Sequence, residues 1–373
     1  MSKFPQTEPE RSAVAVPQTL VHLFPDLGVG HLWTIAGYDV YASLVATGVA
    51  AAAAMTFINY IGIKPASVFQ TIAVVFLVCV GGVMLTGSFV GGSVENMEPL
   101  FTGGVPGIFV VLVAVPFLFV GFNVIPQSAS EVKIPYRLVG GLLVVSVLCA
   151  TAWYVMVMLT AGAGLSPAEL LDSELASADS VAAMWNSPVM GDVLVLGGIA
   201  GLLTSWNAFL IGGSRLVYAM AASRMPPDWF GRLHPRYRTP ANAILFIGAL
   251  SAVAPFFGRP MLVWLTNAGG MNIVLAYMTV VVCFLVLRRR EPAMERPFRT
   301  PAGPAVGWIA LVLSLGLFTL YLPGMPAALG WPQEWPMVLA WWIAGALLLW
   351  RLPRVPPGPD AEQRLITLMD ARK

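Results

Sequence analysis

A glycine, a phenylalanine and an asparagine interrupt an apolar run long enough to cross a bilayer. The run occupies residues 104–137, GVPGIFVVLVAVPFLFVGFNVIPQSASEVKIPYR. The interruption is Val120-Gly121-Phe122-Asn123, with Pro126 just beyond it. In hydrocarbon a backbone must satisfy its own hydrogen bonds, so a break is tolerated only against protein or a water-filled site. An outer half-helix ending near Val120 leaves the carbonyls of Leu118 to Val120 without i+4 partners. Those carbonyls carry the negative end of the helix dipole, which suits an ammonium group or a cation. Asn123 is placed to N-cap an inner half-helix, with Pro126 in its first turn, where a missing N–H does no harm. Phe117, Phe119 and Phe122 either line an apolar pocket or pack against protein and lipid. Gln127 and Ser128 are polar at membrane depth and read as facing the protein interior. The competing reading is a proline-kinked helix with no site.

Three other stretches carry polar groups inside apolar runs. Thr204 and Ser205, in GLLTSWN, offer hydroxyls that either ligate a hard cation such as sodium or bond back to the preceding turn. Arg215, lower in the same run, either snorkels toward the cytoplasm or pairs with a carboxylate such as Glu131 as a cytoplasmic gate. Asn267, Gly269, Gly270 and Asn272 either line a pathway or allow close helix packing. No Asp or Glu lies at the centre of an apolar run, where a proton relay would use one. There is no GxSxG, no HExxH and no P-loop lysine, so the sequence reads as a non-enzyme. Cys79, Cys149 and Cys283 form no CxxC pair, and the histidines His22, His31 and His234 lie far apart, so no metal site is expected. The cysteines read as buried small hydrophobes.

The elements that must hold these groups are membrane helices. The chain is 57% hydrophobic and 11% charged, against about 25% charged in a soluble domain. Long, mostly uncharged runs mean helices, not the short alternating strands of a barrel. At roughly 20 residues per span, about nine spans fit, near 38–59, 66–88, 106–128, 137–162, 190–220, 240–257, 261–287, 306–323 and 336–351. Loops after the first, third, fifth and seventh spans carry Lys64, then Lys133 and Arg137, then Arg224, Arg232, Arg236 and Arg238, then Arg288 to Arg290, Arg296 and Arg299. Arg351 and Arg354 follow the ninth. The alternate loops carry mainly acids. Positive-inside topology therefore puts these basic loops and the carboxy terminus in the cytoplasm, and an odd count leaves the amino terminus outside. Residues 1–37 form an outside tail containing the short apolar stretch 13–25. Residues 38–351 form the transmembrane domain and 352–373 a cytoplasmic tail with a weak amphipathic pattern. In the outer loop 163–188, Ser166-Pro167-Ala168-Glu169 is a capping box that predicts a short surface helix, or else a lid.

These residues resemble a known family. FVGFNVIPQSASEVKIPYR is similar to the broken sixth helix and following loop of amino acid permeases in the amino acid–polyamine–organocation superfamily. There F-x-G-[FY]-[DE] precedes an inner half-helix ending in A-E-E-x-K-N-P. Asn59-Tyr60-Ile61-Gly62-Ile63-Lys64 is similar to the family's loop between helices four and five. GLLTSWNAFLIGGSRLVYAMAASRMPPDWFGRLHPRYRTP is similar to helix eight and the loop beyond, and LRRREPAMERPFRTP to the loop after helix ten. The four agree in order across about residues 13–350.

The resemblance implies an all-α, LeuT-like inverted-repeat transporter fold that is incomplete at the amino terminus. In this reading 13–25 is the remnant of the family's third helix. It also implies a permease that moves an amino acid or related amine by alternating access across the inner or plasma membrane, with no cofactor and Na+ or H+ as the possible coupling ion. The substrate ammonium would be held at Phe117, Phe119, Val120, Gly121, Phe122 and Asn123, and a sodium-like ion at Thr204 and Ser205. The family's first helix, which would hold the carboxylate, is expected to be missing, so the chain alone is not expected to transport. The alternative is a non-transporting membrane fragment or subunit. A helix-five lysine, used by some members in place of sodium, has no counterpart in 70–77. Asn123 replaces the family's acid, and Ala129-Ser130-Glu131 replaces its A-E-E. The expected partners are the substrate and the lipid bilayer, without nucleic acid. The sequence leaves the oligomeric state open.

Overall fold

The computed structural model describes residues 15–99, 104–127, 135–173, 175–222, 228–325 and 328–351, with positions 360, 363 and 367. The amino-terminal tail before residue 15, the segment with Ser128, Glu131 and Lys133, and the amphipathic pattern at 365–369 lie outside the described residues.

A short helix α1, Ala15–Leu23, leads into a hairpin of β1, His31–Ile35, and β2, Tyr38–Tyr41. The hairpin is a small addition to an otherwise helical chain, and the first long helix starts at 42 where 38 was expected. Trp33, Thr34 and Ile35 face Val40, Asp39 and Tyr38 in turn across Ala36-Gly37, and both turn residues have positive φ (50° and 83°). That is the backbone of the turn favoured by tight hairpins, and β-branched and aromatic flanks suit the strands. Trp33 stacks on Phe256 with centroids 6.4 Å apart and donates its indole N–H to the Phe256 carbonyl at 2.9 Å. The hairpin is thus pinned to a helix corner far along the chain.

The long helices follow: α2, Ala42–Ile61, and α3, Ile63–Val90, then α4, Gly104–Leu118, and α5, Val124–Gln127. Next come α6, Tyr136–Gly164, the surface helices α7, Pro167–Asp172, and α8, Ala176–Met184, and α9, Pro188–Ala222. Last are α10, Ala241–Val253, α11, Gly258–Arg290, α12, Gly303–Leu320, and α13, Glu334–Arg351. Among the described residues, six stretches are long and apolar enough to cross a membrane: α2, α3, α6, α9, the joined α10–α11 stretch Ala241–Arg290, and α12. The stretches expected at 106–128 and 336–351 are helical but fall outside this set. In the first, α4 stops at Leu118. In the second, α13 is closed by Glu334 and Arg351.

Packing is helix on helix. The helices α3 and α9 run along each other, as do α2 and α10, α11 and α12, and α8 and α9. Ala52 and Met55 of α2 meet Trp206 and Leu210 of α9 in one buried cluster. Ala268, Met271 and Val274 of α11 meet Tyr321, Leu329 and Val338 in another. The capping box forms as expected. Ser166 donates its amide N–H to Glu169 Oε2 at 2.8 Å, and the Ser166 hydroxyl receives the Glu169 amide at 3.5 Å.

Cys79, Cys149 and Cys283 are free and exposed, which corrects their reading as buried. In a bilayer the outward surface is itself apolar, so a small hydrophobe inside an apolar run carries no information about burial.

Candidate substrate site at the broken helix

The helix α4 carries Pro116 internally, and its last regular backbone bond runs from the Phe119 N–H to the Val115 carbonyl at 3.1 Å. Residues 119–123 then form a turn. Gly121 sits at φ +131°, a conformation side-chain-bearing residues avoid. Asn123 precedes α5, but its side chain does not cap it. The side chain turns back, and Oδ1 accepts the Gly121 amide N–H at 3.1 Å. The bonds that start α5 are backbone ones: Val124 N–H to the Gly121 carbonyl at 3.0 Å and Ile125 N–H to the Phe122 carbonyl at 3.2 Å. This corrects the N-cap expectation. With Pro126 in the first turn there is one donor fewer to cap, and the Gly121 N–H is the nearer demand.

The carbonyls at the end of α4 divide into two groups. Tyr154 of α6 donates its hydroxyl to the Leu118 carbonyl at 2.8 Å. Among the described residues, the carbonyls of Phe119 and Val120 receive no hydrogen bond. The broken helix therefore presents acceptors at its negative dipole end. Phe119 lies against Tyr154 with ring centroids 5.5 Å apart, and Phe122 against Tyr277 of α11 at 5.7 Å. Two aromatic pairs, each with a tyrosine from a different helix, flank Val120-Gly121. Phe117 belongs to α4, and its side chain lies outside the described set.

The inner half-helix is seated on α9. A Cβ at Gly212 would overlap Gln127 Oε1 and Val124 Cγ2, so glycine there is what lets α5 approach. Gln127 faces α9, as its polarity predicts.

Thr204 is buried, and its hydroxyl donates to the Gly201 carbonyl at 2.8 Å. Ser205, the next residue round the helix, is exposed. The described structure does not bring the two hydroxyls to one buried spot. Arg215 donates to the Ile211 carbonyl at 2.9 Å, while Glu131 lies outside the described residues. The α11 patch makes packing contacts. Asn267 donates to Glu334 Oε1 at 2.6 Å, and Asn272 accepts the Trp342 indole N–H at 2.8 Å. Gly270 leaves room for the Tyr321 hydroxyl. Among the described residues there is no group of three or more His, Cys, Asp or Glu placed to hold a metal.

One polar network was not anticipated as a unit. Asn207 of α9 is fully buried. It accepts from Asn59 of α2 at 2.8 Å and donates to Gln70 Oε1 and the Ala66 carbonyl of α3, at 2.9 and 3.1 Å. The available signal was three amides in three separate apolar runs. The Tyr154 and Tyr277 contacts had no local signal, because each tyrosine meets its partner only across helices.

The family model of amino acid permeases matches residues 15–348. The chain is 26% identical over 274 residues to the branched-chain amino acid permease BcaP of Bacillus subtilis, covering 72% of this chain and 58% of that one. It is 24% identical over 255 residues to the methylthioribose transporter of the same organism, covering 68% and 52%. It is 31% identical over 172 residues to the chloroplastic cationic amino acid transporter 7 of Arabidopsis thaliana, covering 44% and 28%. The chain spans about half the length of the curated relatives it matches. All three are named as permeases or transporters, and none as an enzyme. On the match across residues 15–348, the chain belongs to the amino acid permease family.

Proposed function

We propose that the whole protein moves an amino acid or a related amine across a cell membrane by alternating access, with the broken α4–α5 segment as the substrate site. The observation that carries this is the pair of carbonyls at Phe119 and Val120 that receive no hydrogen bond among the described residues, set at the negative end of α4 and bordered by Phe119 and Phe122. Such an end attracts an ammonium group, and discontinuous helices with free carbonyls are a recurrent way to hold substrates at membrane depth. Belonging to the amino acid permeases, with relatives named for branched-chain and cationic amino acids, supports the same substrate class. The coupling ion is proposed to be Na+ or H+. The Thr204 hydroxyl gives its proton to Gly201 and keeps its lone pairs for a cation. The basic loops and the carboxy terminus are placed in the cytoplasm by the positive-inside rule.

The test is saturable binding of radiolabelled L-leucine or L-arginine to the purified chain in lipid, competed by unlabelled ligand. The expected result is competition by amino acids and amines. It should be lost in Gly121→Ile, which a φ of +131° cannot accommodate without strain. No saturable binding at millimolar concentrations of either ligand refutes the assignment of the broken α4–α5 segment as the site that holds the amine.

A further inference from the structure

Among the described residues, two buried side-chain polar atoms have no hydrogen-bond partner: the Tyr277 hydroxyl and Arg288 Nε. Arg288 is accounted for by packing, with its guanidinium 4.8 Å above the Phe284 ring and against Gly303. Tyr277 is not. Its ring lies 5.7 Å from that of Phe122, inside the 119–123 turn, and its oxygen is withdrawn from solvent. A buried hydroxyl that bonds nothing is costly, and most such groups are paired. The contrast with Tyr154 sharpens the point. Both tyrosines lie tilted against a phenylalanine of the break, yet Tyr154 donates its hydroxyl to the Leu118 carbonyl while that of Tyr277 has no partner among the described residues.

We propose that Tyr277 is a substrate-contacting residue whose phenol oxygen accepts a hydrogen bond from the ammonium group of the bound amino acid or amine. The inference rests on the transport reading above. The chemistry around the break selects the ammonium over the carboxylate. The carbonyls of Phe119 and Val120 are acceptors, and they lie at the negative end of α4. The Gly121 N–H, the donor a carboxylate would want, is already given to Asn123 Oδ1. Aromatic rings around a cation add attraction of their own. An ammonium has three donors. Two carbonyls and one phenol oxygen match them in number.

The test compares the full 373-residue chain with Tyr277→Phe in lipid nanodiscs. Affinities are measured by calorimetry for L-leucine, L-arginine and their decarboxylated amines, 3-methylbutylamine and agmatine. The carboxylate 4-methylpentanoate, which lacks the amine, is the control. The substitution removes one oxygen and keeps the ring against Phe122. We expect the amine-bearing ligands to bind about 10- to 100-fold more weakly, the range for a hydrogen bond to a charged group. Binding of 4-methylpentanoate should not change. The thermal midpoint without ligand should stay the same or rise, because no internal bond is lost. Equal affinities in both chains overturn the inference, as does a lower unliganded midpoint with unchanged affinities, which would mark an internal partner. If the parent chain binds none of the amine-bearing ligands, the reading of the break as the amine site falls and takes this inference with it. If the parent binds them and Tyr277→Phe matches it, only the inference falls.

Discussion

The Asn59 side-chain amide donates to Asn207 Oδ1 at 2.8 Å, a buried bond that joins α2 to α9. Asn207 then extends the chain of amides to Gln70 and the Ala66 carbonyl on α3. Three helices are tied by one buried asparagine and its amide and carbonyl partners. The prediction is that Asn207→Ala lowers the thermal midpoint in detergent more than Asn59→Ala, because it strands Gln70 as well as Asn59. The coupling energy from the double-mutant cycle should be about 0.6 kcal/mol and not exceed about 1.7 kcal/mol, the range measured for interhelical bonds in membranes. Additive single substitutions would show that the amides do not act as one unit.

Gly121 has φ +131°, and nothing lies within 4 Å of where its Cβ would be. The cost of a side chain there is conformational and not a clash. Gly121→Ala should destabilise the protein by about 1–3 kcal/mol. Gly316, which is helical with equally open space around it, should tolerate alanine without loss. Chemical unfolding of the two variants side by side measures the difference.

The bond from the Tyr154 hydroxyl to the Leu118 carbonyl is internal and needs no ligand. Tyr154→Phe should therefore reduce unliganded stability by about 0.5–1.5 kcal/mol, where Tyr277→Phe should not. A ranking in the opposite order, read from unliganded thermal scans, would show that the hydroxyl roles are misassigned.

Gly212 faces Gln127 and Val124. Gly212→Leu should push the four-residue α5 off α9 and raise amide exchange at Val124 to Gln127, while leaving the distant α11–α13 contacts unchanged. Hydrogen exchange read by mass spectrometry is the check. Unchanged exchange in α5 would mean that it is held by α6 and not by α9.

The Glu169 carboxylate is held below its ordinary value, first by the Ser166 hydroxyl and then by the Ser166 backbone N–H. A lowered folded value means that the unfolded segment binds the proton more readily. The contribution to α7 is therefore fully present above the unfolded carboxylate value of about 4.3. It is lost as pH falls through the lower folded value. Amide protection across 167–172 should fall on acidification in the parent and change little with pH in Glu169→Gln.

The length and polarity of the apolar runs, by themselves, determined that this is a helical membrane protein. They also located the interruption at Val120–Asn123 and the cap at Ser166. Each of those rests on local chemistry: transfer of a run into hydrocarbon, the freedom of glycine, and a side chain bonding its own next turn. The hairpin at 31–41 was locally legible too, from Ala36-Gly37 between β-prone residues, but was masked by its place between apolar stretches. What only the tertiary structure decided is which way each group faces. In water a buried face is apolar and an exposed face polar, so the pattern reveals both. In hydrocarbon both faces are apolar, and Cys79 and Met84, one outward and one buried on the same helix, read alike. The same blindness hid the pairing of Tyr154 with Leu118 and the unspent hydroxyl of Tyr277. The tyrosine roles depend on which helices pack together, and no local periodicity encodes that, whereas the split of Thr204 from Ser205 follows from the 3.6-residue turn itself.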